Sequence, residues 1–91
     1  MFKYDITEEF EEIIKKLSKK NPVIAIAINR KIKEIISRDT NTINAYKNLK
    51  YSMNDYKRVH ITGNVVMIFQ VKETDNKILF ITIKHRDDVY R

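Results

Sequence analysis

The chain has no cysteine, no tryptophan, one glycine (Gly63), one proline (Pro22) and two histidines (His60 and His85) among its 91 residues. Without cysteine there can be no disulfide and no thiolate–zinc site, and two histidines alone do not make a conventional metal cage. A single glycine excludes a Gly-rich phosphate loop; one glycine with one proline also argues against a flexible linker or a low-complexity tail. Paired acids for metal-dependent cleavage and a Ser–His–Asp spacing are missing as well. No stretch offers the roughly 20 apolar residues of a membrane span. The first residues, Met1 to Glu9, lack the apolar run of a signal peptide. These absences predict one small cytoplasmic domain, residues 1–91, with no membrane association, metal or cofactor.

What is abundant is positive charge. The formal net charge is +6, from 18 Lys and Arg against 12 Asp and Glu. Up to Ala45 there are 9 basic and 7 acidic residues; from Tyr46 onward there are 9 and 5, so the second half carries the larger excess. Such a surface suits a polyanion, and RNA is the expected partner, although a lysine-rich solvated surface needs no ligand.

The hydrophobic pattern predicts an α+β domain. Phe2 to Ile6 alternates as a short strand. Thr7 reads as a helix N-cap, followed by Glu8 and Glu9 where the helix dipole favours negative charge. Phe10, Ile13, Ile14 and Leu17 then form a helical stripe. Asn21 and Pro22 start a second helix, whose stripe of Ile24, Ile28, Ile32, Ile35 and Ile36 runs to about Arg38. After the polar loop Asp39–Thr42, strands are expected over Tyr56–Thr62, Val65–Val71 and Ile78–Ile83, with turns at Gly63-Asn64 and Thr74–Lys77. The order is β-α-α-β-β-β: an N-terminal strand, a helical hairpin, and an antiparallel three-strand meander with the helices packed on one face.

Two places could carry chemistry. In the strand 56–62, alternation puts Val59 and Ile61 on one face and Tyr56, Arg58 and His60 on the other. A guanidinium beside an imidazole makes a reasonable phosphate site, and an ordinary solvated strand face would carry the same pair. Lys57 falls on the opposite face or curls round the edge. The closing segment, His85 to Arg91, offers an imidazole, a guanidinium (Arg86) and a phenol (Tyr90) within six residues. Arg86 could clamp a phosphate and Tyr90 could stack on a base or hold a proton in place; a frayed polar tail is the plainer alternative.

With these residues in view, the chain resembles the RelE branch of the RelE/ParE toxin superfamily. The likeness rests on the element order, the small basic size and two motifs. One is Asp55-Tyr56-Lys57-Arg58-Val59-His60-Ile61, a short turn, then Val65 to Val71; the other is His85-Arg86-Asp87-Asp88-Val89-Tyr90. The resemblance implies a toxin of a type II toxin–antitoxin system that cuts mRNA in the ribosomal A site without metal. The ribose 2′-OH attacks the neighbouring phosphate, and a 2′,3′-cyclic phosphate remains. It also implies a RelB-type antitoxin from the same operon, bound in a hetero-oligomer such as a heterotetramer.

Carried over position by position, Arg58 and His60 match the family's basic pair, Arg86 its arginine after the last strand, and Tyr90 its C-terminal tyrosine. His60 is the natural acid–base group, Arg58 and Arg86 would stabilise the transition state, and Tyr90 would stack or join the proton transfers. Lys50, Lys57 and His85 are further RNA-binding candidates. One position departs: Val66 stands where the family often has a phosphate-binding arginine, so Arg58, Lys57 or Lys50 would have to substitute. The departure keeps two other readings in play, a ParE-like gyrase inhibitor and a catalytically decayed RNA-binding relative.

Overall fold

The computed structural model describes residues 1–48 and 56–85. The elements are β1 (Lys3–Ile6), α1 (Glu8–Lys20), α2 (Pro22–Ile36), β2 (Lys47–Asn48), β3 (Tyr56–Thr62), β4 (Val65–Lys72) and β5 (Lys77–His85). They form one five-stranded sheet in the order β1-β5-β4-β3-β2. β1 runs parallel to β5, and every other neighbouring pair is antiparallel. The predicted α+β order and the helices on one face are both present. The sheet gains one strand that the pattern did not show, because two residues are too few for a period.

Local chemistry sets the helix ends. The Thr7 side chain accepts the backbone N–H of Phe10 at 3.1 Å, which closes the first turn of α1. Its hydroxyl also donates to the carbonyl of Ile81 at 2.6 Å, and its backbone N–H donates to the carbonyl of Phe80 at 3.1 Å. One residue therefore caps α1 and ties it to β5. Asn21 serves both helices: its backbone N–H donates to the Leu17 carbonyl at 2.8 Å, and its side chain accepts from Ile24. Pro22 follows at the first helical position, where its missing N–H costs nothing.

α1 lies over β5 and α2 over β3. Between helices and sheet sits an apolar core of Phe2, Phe10, Ile28, Ile35, Ile43, Met67, Phe69, Val71, Ile78 and Phe80. Its centre is a chain of rings. Phe80 lies 5.9 Å from both Phe10 and Phe69, and Phe69 meets Tyr46 edge-on at 5.7 Å. Burial of each phenyl contributes about 1.5–3 kcal/mol.

Two irregularities matter for the site. The ladder between β3 and β4 skips a residue between His60 and Thr62, and that between β4 and β5 skips one opposite Ile68 and Phe69. In the second, Phe69 faces Phe80 while Ile68 faces Thr82, so Ile81 is an extra residue on β5. The Ile81 carbonyl accepts the Thr7 hydroxyl.

Candidate functional site

Paired residues of an antiparallel ladder point to the same side of the sheet. On the face opposite the helices this produces three rows: His60–Val66–Lys84, Arg58–Ile68–Thr82 and Tyr56–Gln70–Leu79. Strands lie about 4.8 Å apart and alternate residues of a strand about 7 Å apart. Arg58, His60 and Lys84 thus stand on a patch about 7 by 10 Å, small enough for long side chains to reach one phosphate. The floor is apolar: Val66 is 5% exposed and Ile68 8%. Charges above such a floor act on an anion more strongly than in open water.

The imidazole of His60 is exposed, and its Nε2 lies 2.7 Å from the carbonyl of Gly63. A carbonyl only accepts, so Nε2 carries the proton and Nδ1 of the neutral ring holds the lone pair. The turn sets this up: Gly63 has φ +52°, a conformation most side chains disfavour, and it brings its carbonyl back over β3. In the next row, Thr82 is 5% exposed, and its hydroxyl has no hydrogen-bond partner among the described residues.

Lys57 and His85 do not join the pair. Lys57 shares the helix side of β3 with Val59 and Ile61, and only 4% of it is exposed. Its ammonium donates to the Tyr46 carbonyl at 3.4 Å. Burial lowers its pKa, with Glu73 pulling the other way. Nearby, the Tyr46 hydroxyl bonds to the Glu34 carboxylate and accepts from Arg38 Nε at 3.1 Å, which fixes the end of α2 against the loop. His85 pairs with Val65, on the helix side, and lines an apolar cleft with Ile13, Leu17, Ile24, Val65 and Ile83, at whose edge Lys84 also lies. Lys50, Arg86 and Tyr90 lie outside the described residues.

Lys84 and Thr82 are site-face residues that strand alternation misses. Counting inward from Ile78 and Phe80 places positions 82 and 84 under the helices. The extra residue at Ile81 reverses the phase, so Ile83 turns inward while Thr82 and Lys84 turn out. The sequence does not mark the break, because Ile78, Leu79, Phe80, Ile81 and Ile83 are all apolar and show no clear change of phase.

No family model matches the chain. A protein of Methanocaldococcus jannaschii, whose name RelE4 places it among the RelE toxins, is 35% identical over 91 residues, covering 100% of this chain and 93% of its own. This chain belongs to the RelE toxin family. Solved structures agree at the level of the fold. RelE toxins and their relatives share the backbone although few residues are identical. The E. coli RelBE toxin–antitoxin complex matches with a TM-score of 0.72 at 16% identity, over 93% of this chain and 96% of that one. The YoeB/ParE toxin of Agrobacterium tumefaciens matches with a TM-score of 0.76 at 16% identity, over 92% and 98%. The three-row face of the present RelE-family chain is thus built on the shared fold, while its side chains are its own. Among the described residues no helix is long and apolar enough to cross a membrane, and no group of three His, Asp or Glu side chains is placed to hold a metal ion.

Proposed function

We propose that this RelE-family chain is a metal-independent endoribonuclease that cuts mRNA on the ribosome and so inhibits translation. The observation that carries the reading is the placing of Arg58 and His60 side by side on the face opposite the helices, with the imidazole tautomer set by Gly63. Cleavage by the RNA's own 2′-OH needs a proton acceptor, charge stabilisation at phosphorus and a proton for the leaving 5′ oxygen. Nδ1 of His60 accepts the 2′-OH proton. The Arg58 guanidinium, which fits a phosphate through paired N–H donors, stabilises the charge that builds on the equatorial oxygens. Arg86 adds a second cation, and Tyr90 stacks on the nucleotide or joins the proton transfers; both roles come from the family resemblance. Because the ribosome supplies the alignment of the mRNA, the isolated protein cuts free RNA poorly.

The partner in this reading is a RelB-type antitoxin. E. coli RelE is known as a complex with its antitoxin, and the net charge of +6 here suits an acidic or amphipathic chain that shields it. Val66 favours a second reading, since the cation often found at that position is gone: a ParE-like gyrase inhibitor on the same fold.

Induction of the chain in cells, followed by mapping of mRNA ends on ribosomes, separates the two. Codon-phased cuts are expected. Intact mRNA with chromosome breaks would replace the nuclease by the gyrase inhibitor.

A further inference from the structure

We infer that Lys84 is the phosphate-contacting cation that takes over from the missing arginine at Val66; the inference rests on the endoribonuclease reading above. Val66 is the direct ladder partner of both His60 and Lys84, so the three residues form one row with the valine in the middle. The lysine stem is long enough to lie along the apolar Val66 side chain and carry its ammonium over that position. Lys84 is exposed, and it takes part in none of the ion pairs among the described residues, which join Lys15 to Glu11, Lys31 to Glu34 and Lys77 to Asp5.

Lys84 reaches this face only through the extra residue at Ile81. A regular β5 would point it under α1. The irregularity is held in place by Thr7, which donates its hydroxyl to the Ile81 carbonyl while capping α1. The same shift delivers Thr82 to the row of Arg58, and the buried Thr82 hydroxyl lacks a partner among the described residues. A buried hydroxyl without a partner is costly unless something binds it. A phosphate oxygen held by Lys84 and Arg58 is an acceptor of the right kind. A lysine acts as a point charge and makes no paired bonds, so Arg58 supplies the directional contact and Lys84 the charge.

The test uses the full chain, purified, with ribosomes carrying a defined mRNA, and reads the single-turnover cleavage rate. Lys84→Ala lowers that rate about 10-fold or more, the scale of losing one charge-stabilising donor. Lys84→Arg retains most of it, and Lys16→Ala, an exposed cation on α1, leaves it unchanged. Melting temperatures of all three variants stay at the parent value, which separates a lost contact from a lost fold. If Lys84→Ala cuts at the parent rate while Arg58→Ala does not cut, Lys84 is not part of the site and the nuclease reading stands. If the parent chain cuts no mRNA, both fall together.

Discussion

Removing the Thr7 hydroxyl probes the link between fold and site. Thr7→Ala deletes two hydrogen bonds at once: the cap to Phe10 N–H at 3.1 Å and the donation to the Ile81 carbonyl at 2.6 Å. Loss of an N-cap costs about 0.5–2 kcal/mol. Loss of the second bond costs about 0.5–1.5 kcal/mol. The expected destabilisation is about 1–3.5 kcal/mol, and near 4–8 °C per kcal/mol for a domain of this size the melting temperature drops by roughly 4–28 °C. Thr7→Ser keeps the hydroxyl and stays within about 0.5 kcal/mol of the parent. Calorimetry or urea titration reads both. Equal losses for Ala and Ser, or no loss for Ala, would refute the double role of Thr7. Since this contact also holds the extra residue at Ile81, Thr7→Ala should slow mRNA cleavage at temperatures where the chain is still folded.

Two further outcomes follow from the geometry. Lys57→Met is neutral or stabilising at pH 7, by up to about 2 kcal/mol, because a buried charge gives way to an apolar chain of similar length. The folded pKa of Lys57 is lowered by burial, so between that value and the ordinary lysine range the unfolded chain binds more protons. Stability from this group therefore rises with pH across that window, and the gap between parent and Lys57→Met narrows. The difference between the two proteins is the quantity to measure, as Tyr46, its pKa raised by burial and by Glu34, works in the opposite direction. A loss above about 1 kcal/mol for Lys57→Met at pH 7 would show that the contacts of its ammonium, the bond to the Tyr46 carbonyl among them, outweigh its desolvation. His60→Gln should leave the melting temperature within a few degrees and lower the cleavage rate about 10²–10⁴-fold, the usual worth of a positioned acid–base group; an unchanged rate would remove His60 from the chemistry.

Much of this was legible in the chain itself, for local reasons. The Thr7 cap, the Asn21-Pro22 junction and the Gly63-Asn64 turn are chemistry of neighbouring residues, and the structure carries each of them. The strand Tyr56–Thr62 and the shared face of Arg58 and His60 follow from a period of two. What was not legible depends on pairing between distant segments. The parallel seat of β1 against β5, the two-residue β2 and the extra residue at Ile81 are fixed by register, and a shift of one residue flips every side chain beyond it. That is why His85, a candidate by composition, sits on the helix side, while Lys84, unremarked beside it, faces the same way as Arg58 and His60. Lys57 shows the same limit: alternation assigns its face, but its depth depends on the cover of α2 and Tyr46.

The most direct measurement is the chemistry of the cut ends. Ribosome-bound mRNA treated with the chain should yield upstream fragments ending in a 2′,3′-cyclic phosphate, and Arg58→Ala should yield none. Upstream fragments ending in a 3′-hydroxyl, or equal cutting by the Arg58 variant, would mean that the guanidinium and imidazole of β3 do not run this reaction.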